Sequence, residues 1–253
     1  METLNRDSKK KLWQDVYSRR KRADEYQDLI KLAGGKWHLD MLGAAVQSLS
    51  HLTSPPAAIL ELGVGTGKLA SRILRHYPKT RLNCLDGSPA MLAKARQHLA
   101  PYSTRVKFIR RDFGSRDWNK GIPEVDAVIS TIAIHHLTDA GKKRLYRELL
   151  TQLKPGGLFI NGDPVWSNDV DLKNRDDFMW ASYIQHRYKS LHGQLKPVPE
   201  LLDWINTTRN AEGDKPASIE DQLRWLRDAG YVHVDCYWKN FGFAIFGGMR
   251  PKP

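Results

Sequence analysis

Cysteine is scarce in this 253-residue chain: Cys84 and Cys236 are the whole complement. Two thiols so far apart in sequence cannot build a disulfide framework, and by themselves they cannot hold a structural zinc ion. Long apolar runs are also missing. No stretch approaches the roughly 18 residues that a membrane-spanning helix needs, and Met1 to Asp7 lacks the apolar core of a secretory signal. A cytoplasmic protein that needs no metal is the expectation from these absences. Acidic residues are in deficit too, 28 against 40 Lys and Arg, which gives a formal charge of +12 and a pI near 9.7. Such a surface concentrates polyanions. The excess is densest between Lys68 and Lys120 but is spread over helices and strand ends, so it forms no compact binding block.

What is present is ordinary globular material, 41% hydrophobic and 27% charged residues, too apolar for a disordered chain. From Ala57 onward, short apolar runs alternate with longer amphipathic ones, the pattern of parallel strands joined by crossover helices. Strands are predicted at Ala57 to Leu62, Arg81 to Asp86, Val106 to Ile109, Ala127 to Thr131 and Leu158 to Asn161. Helices are predicted at Lys68 to Tyr77, from Pro89 behind an N-cap at Ser88, and at Asp139 to Leu153. After Asp163 the alternation pauses for about fifty residues, with a helical, aromatic-rich stretch from Asp169 to His192. It resumes at Ser218, which opens a helix ending at Gly230. Val232 to Lys239 and Phe241 to Phe246 then form an antiparallel hairpin.

The first strand runs into Glu61-Leu62-Gly63-Val64-Gly65-Thr66-Gly67 and then a helix. Glycines there let backbone approach a ligand at the carboxyl end of a parallel strand. A nucleoside-triphosphate loop needs a glycine at position 62 and Ser or Thr at 69; both are leucine. A dinucleotide fingerprint needs its third glycine at position 68, which is lysine. The alternating glycines behind a glutamate, Glu61-x-Gly63-x-Gly65-x-Gly67, resemble instead the first motif of class I S-adenosylmethionine (SAM) methyltransferases. Asp86-Gly87-Ser88-x-x-Met91 resembles that family's second motif, Arg111-Asp112-Phe113 its third and Asp126 to Leu137 its fourth. Leu153-Lys154-Pro155-Gly156-Gly157 is similar to its turn into strand 5.

The resemblance covers 57–163 and 218–248. It implies an α/β fold: a seven-stranded, mostly parallel Rossmann-like sheet with an antiparallel last strand, helices on both faces and a helical lid. It implies SAM as cofactor, bound by Glu61, Gly63, Gly65 and Gly67 of the first motif and by Asp86 and Gly87 of the second, with Asp86 holding the ribose. Met91, Asp112 and Phe113 would meet the adenine, and Thr131 would lie beside the methyl. Residues 1–54 are expected as an N-terminal helical lid segment, and 55–253 as the SAM-binding domain, with a lid insertion at about 164–217.

Transfer of a sulfonium methyl is an in-line displacement in which the protein aligns the partners and excludes water; a base is needed only for a protonated nucleophile. His135 is expected to face the reaction chamber as base or orienter, since histidine titrates near neutrality. Tyr17 and Asp163 are further catalytic candidates, and His136 is expected to pack against the following helix. The alternative for His135 is a packing or hydrogen-bonding role beneath the lid. Aromatic residues of the lid segments, Trp13, Trp37, Trp166, Trp180 and Trp204 with Tyr26, Tyr183 and Tyr188, suit an aromatic or cationic small-molecule acceptor, or else pin the lid to the core. A nucleic-acid acceptor is the runner-up, motivated by charge alone: no appended RNA-binding module and no Asn/Asp-Pro-Pro-aromatic motif accompanies it. A non-catalytic SAM-binding regulator is the third reading.

Overall fold

The structure is a computed structural model, which describes residues 35–253. Its frame is one seven-stranded sheet in the order β3-β2-β1-β4-β5-β7-β6. The strands are β1 (Ala58–Leu62), β2 (Arg81–Asp86), β3 (Val106–Arg110), β4 (Val125–Thr131), β5 (Leu153–Pro164), β6 (Val232–Asn240) and β7 (Phe243–Met249). All neighbouring pairs from β3 through β5 are parallel, and β7 runs antiparallel to both β5 and β6. The helices are α1 (Gly35–Ser48), α2 (Lys68–His76), α3 (Pro89–His98), α4 (Asp139–Gln152), α5 (Val170–His192), α6 (Val198–Glu212) and α7 (Ile219–Asp228). None of the described helices is long and apolar enough to cross a membrane.

Each central strand is apolar on both faces, as a parallel sheet covered by helices requires. Side chains alternate between the two layers. Ile59, Leu82, Ala127, Ile129, Leu158 and Ile160 pack with Met41, Leu42, Leu69, Ile73 and Leu92 from α1, α2 and α3. Leu60, Leu62, Leu85, Val128 and Phe159 pack on the other face with Leu145, Leu149, Trp225 and Leu226 from α4 and α7. Ser88 caps α3 by accepting from the Met91 amide at 3.2 Å, with Pro89 in the first turn. Ser218 caps α7 in the same way, accepting from the Asp221 amide at 3.0 Å.

Several boundaries differ from those expected from the sequence, and two of the differences have a visible cause. β5 begins at Leu153 rather than Leu158, because the Lys154-Pro155-Gly156-Gly157 turn is held flat against the end of β7: Gly156 N–H donates to Arg250 O and Arg250 N–H to Gly157 O. The last hairpin turns at Phe241 and Gly242, with Phe241 at φ 47°, so β7 starts at Phe243 rather than Phe241. The segment between β5 and α7 contains two helices, α5 and α6, which share a small core of Ala181, Ile184, Leu201 and Ile205. α6 runs from Pro199 in its first turn to Gly213 as its left-handed C-cap.

Candidate active site

The glycine loop leaves β1 toward β2, where the amides of Gly63 and Val64 both donate to Leu85 O, at 2.8 and 3.0 Å. Gly63, at φ 69°, has no room for a side chain: a Cβ would stand 2.4 Å from the Ala133 Cβ. Gly67, at φ 82°, is the left-handed N-cap of α2. Asp86 closes the loop from the tip of β2. Its Oδ2 accepts from the Gly65 amide at 2.9 Å and its Oδ1 from the Ser88 amide at 2.8 Å. Burial pushes this carboxyl up to about 6, against the pull of the two amides. Glu61, fully buried at the end of β1, is also raised well above the ordinary value, by burial first and by the Asp86 charge second. Its Oε2 has no hydrogen-bond partner.

These residues line a crevice at the tips of β1, β2 and β4, of about 870 Å³ including its open mouth. Glu61, Gly63, Gly65, Asp86, Gly87, Met91, Phe113 and Thr131 all stand in its wall, as expected. Gly67 and Asp112 do not. Gly67 shapes the turn behind the wall, and Asp112 Oδ1 accepts from the Gly114 amide at 2.7 Å within its own turn. The wall also contains His38, Lys68 and Ser88, which the sequence motifs did not assign to the site. His38 reaches it from α1, upstream of every recognisable motif. Burial, then the Lys68 and Arg72 charges, lower its pKa to about 4, so it stays neutral at pH 7.

Beyond Thr131 the chain makes a strained turn. Ile132 adopts φ 52°, a conformation costly for a β-branched residue. It is held by the bond from the Ile132 amide to Gly162 O at 2.8 Å and by the Ala133 amide donating to Asp163 Oδ1 at 3.0 Å. The short 3-10 turn Ile134–His136 follows. Successive side chains on such a turn point about 120° apart, which separates the two histidines. His135 turns inward and is almost fully buried. Its Nδ1 donates to Asp163 Oδ1 at 2.9 Å and its Nε2 lies 3.4 Å from Asp214 Oδ1. Burial opposes its charge, but the two carboxylates outweigh burial and push it up to about 10. His136, not His135, is the histidine in the crevice wall, and His135 takes the alternative expected for it, hydrogen-bonded beneath the inserted segment.

Asp163 is completely buried. Besides Ala133 and His135 it accepts from Asn161 Nδ2 at 3.0 Å, and it lies behind the crevice rather than in its wall. Tyr17, Trp13 and Tyr26 lie outside the described residues. The lid aromatics that are described are absent from the crevice wall. Trp37 meets Trp180 and Phe243 with ring centroids at 4.8 and 4.2 Å, and Trp180 stacks on Tyr183 at 5.5 Å. Those rings fasten α1 and α5 to β7. Asp214, just past α6, is a further residue of the site that sequence reasoning missed. It sits in the stretch that interrupts the strand–helix alternation, and only the fold brings it to β4.

The crevice suits an adenosyl sulfonium. Asp86 and the unpartnered Glu61 Oε2 offer acceptors, Gly63 and Gly65 present bare backbone in the wall, and Met91 and Phe113 supply apolar walls. Comparison with known proteins agrees. Residues 59–157 match the family described as "Methyltransferase domain". Residues 59–157 are thus similar to a methyltransferase domain, and the motifs around the crevice support its class I, SAM-dependent type. A carboxy-S-adenosyl-L-methionine synthase from Wolinella succinogenes is 24% identical over 226 residues, 88% of this chain and 89% of that protein. Among solved structures, an O-methyltransferase family protein from Burkholderia thailandensis superposes with a TM-score of 0.65 at 16% identity, over 91% of this chain. Human N-acetylserotonin methyltransferase, in complex with SAM, superposes with a TM-score of 0.62 at 15% identity, over 95% of this chain. The chain spans about 60% of the length of these two structures. The methyltransferase fold, the enzyme class and SAM as cofactor therefore stand together.

Proposed function

We propose that this methyltransferase transfers the methyl of SAM to an oxygen, nitrogen or carbon nucleophile of a small molecule, in the cytoplasm. The observation that carries the reading is the crevice itself, whose wall is built from α1 together with the strand-tip loops of β1, β2 and β4, a concave site of the kind that takes small molecules. When bound, SAM supplies the electrophilic methyl, and the protein has only to bind, align and dehydrate the partners. Asp86 takes the ribose hydroxyls, Glu61 and the glycine loop take the methionine end, and Met91 and Phe113 sandwich the adenine. Asp112 supports this pocket through its turn. Thr131 and His136, at the tip of β4, mark the side on which the acceptor docks. His135 and Asp163 stand behind them as positioning residues, and the inserted segment, 164–217, with α1 forms the lid; residues 1–34 of the expected N-terminal lid segment, 1–54, lie outside the described residues.

The lid tryptophans that are described do not offer the acceptor a ring to stack on, which removes one argument for an aromatic or cationic acceptor. That the human relative is named for an aromatic amide keeps aromatic acceptors in the first panel to try. A second reading has its own support: the carboxy-S-adenosyl-L-methionine synthase match runs through the lid, over 88% of the chain. Under that reading the cofactor itself is the molecule modified. One experiment separates the two. The protein is incubated with SAM and separate panels of small phenols, amines, carbon acids and, as carboxyl donors, carboxylic acids that lose carbon dioxide readily, and the nucleoside product is identified by mass. S-adenosylhomocysteine together with a methylated acceptor supports transfer, whereas a SAM derivative heavier by a carboxyl group supports the second reading. Bound SAM with neither product from any panel contradicts both.

A further inference from the structure

On leaving α6 the inserted segment returns to the tip of β4 and is tied there by its backbone. The Lys215 amide donates to His135 O at 2.8 Å. Lys142, with no exposed side-chain surface, donates to Asp139 Oδ1 at 3.1 Å and to Lys215 O. This return sets Asp214 Oδ1 at 3.4 Å from His135 Nε2 and 3.2 Å from His136 Nδ1. The three atoms all lie within 4.8 Å of one another. Although two ring nitrogens stand so close, Asp214 Oδ1 is buried without a hydrogen-bond partner, and its side chain is nine-tenths buried. The nitrogens are near it but not aimed at it.

That combination is the signature of donors aimed at a common centre. Ligands bound at about 2.0–2.1 Å to a tetrahedral ion stand about 3.4 Å apart, and their lone pairs point at the ion instead of at each other. We propose that His135 Nε2, His136 Nδ1 and Asp214 Oδ1 form a binding site for one zinc-class divalent ion at the wall of the cofactor crevice. Asp163 is the outer partner such a site calls for. By accepting from His135 Nδ1 it keeps the proton on that nitrogen, so that an ion displacing the Nε2 proton meets a correctly oriented ring, and it is itself held by Asn161 and the Ala133 amide. Two imidazoles and one carboxylate suit zinc and its transition-metal neighbours, whereas magnesium and calcium prefer all-oxygen sets. Three protein ligands leave a position for water or for a polar atom of the acceptor. The ion would also rivet the inserted segment to β4.

The test uses tag-free protein stripped with a chelator and titrated with Zn²⁺ against a chromophoric competitor, and with Co²⁺ followed by visible absorption. One Zn²⁺ per chain is expected, together with the intense visible bands of a four-coordinate Co²⁺ complex. Asp214→Asn and His136→Gln should each weaken Zn²⁺ binding by about 100-fold or more, and Asp163→Asn by about 10-fold. Zn²⁺ affinity unchanged in both ligand variants would overturn the site, as would a wild-type protein that binds no stoichiometric ion or gives only weak octahedral Co²⁺ bands. The wild-type Co²⁺ spectrum decides the matter should a variant fail to fold. S-adenosylhomocysteine binding, titrated on the same metal-free preparation, reports on the crevice separately. If it binds without any stoichiometric ion, the metal site fails and the cofactor assignment stands. Ion binding by a chain that does not bind the nucleoside would support the metal site and overturn the cofactor assignment.

Discussion

At Asp86 both carboxylate oxygens are already committed to backbone amides, of Gly65 and Ser88, and burial still raises its pKa to about 6. The ionised form is the better acceptor for ribose hydroxyls, so a proton on Asp86 competes with the cofactor. S-adenosylhomocysteine binding measured by calorimetry should therefore weaken as pH falls through 6, by about tenfold at pH 5 relative to pH 7.5. Asp86→Asn should bind more weakly and lose most of that pH dependence; an unchanged pH profile in this variant would place the titrating group elsewhere. Gly63 offers a steric test. In Gly63→Ala the new Cβ meets Ala133 Cβ at 2.4 Å on a backbone already at positive φ, so a loss of about 1–3 kcal/mol in urea unfolding is expected, with cofactor affinity reduced by about tenfold or more. At this scale the sequence was informative wherever spacing alone defines geometry: Glu61, Gly63, Gly65, Asp86, Gly87, Met91 and Phe113 all sit around the crevice. It could not phase His135 and His136, because the strained φ of Ile132 rotates the turn that carries them, and no local pattern announces that strain. Asp214 was silent for a different reason, since its partners are about 78 residues away in the chain.

Among the elements, β1 to β4 and α2 to α4 were legible because amphipathic period and caps coincide there. α5 and α6 were less so. They show exposed Val170, Leu172, Phe178, Met179 and Leu191, and share a core of only four buried residues. Elements with so little buried contact open more readily than central strands. Hydrogen–deuterium exchange should therefore run at least about tenfold faster across Val170–His192 and Val198–Glu212 than across β1 and β4. Equal protection would mean that the inserted segment is as firmly built as the sheet. The clamp holding α5 is the ring cluster of Trp37, Trp180 and Phe243. Trp180→Ala should cost about 3–5 kcal/mol if the site cannot collapse, and should raise proteolytic cutting within α5 before cutting within the sheet.

Over the whole molecule, the +12 charge was the feature the sequence could least interpret. Part of it is structural. Arg105 donates to the carbonyls of Leu74, Tyr77 and Thr80, Arg111 to those of Trp118 and Lys120, and Arg144 to Gly114 O. These guanidinium groups close the ends of helices and loops around the sheet and are not lined up on one face for a polyanion. Arg105→Ala should destabilise the chain by about 2–4 kcal/mol in urea unfolding, three charge-assisted bonds being lost at a partly buried site. A change smaller than about 0.5 kcal/mol would show that the arginine is surface decoration. The mostly parallel sheet and the antiparallel last strand were legible at this scale because they follow from the alternation and from the closing hairpin, whereas the strand order and the placement of the inserted segment depend on contacts that no local pattern records.

Every role proposed for the crevice requires an adenosyl group lying across the tips of β1, β2 and β4. Isothermal titration of the wild type and of Asp86→Ala with S-adenosylhomocysteine at pH 7.5 tests this most directly. The prediction is one site per wild-type chain and a loss of about 30-fold or more in the variant, the equivalent of about 2 kcal/mol or more. No binding by the folded wild type, or equal affinity in the two proteins, would contradict it.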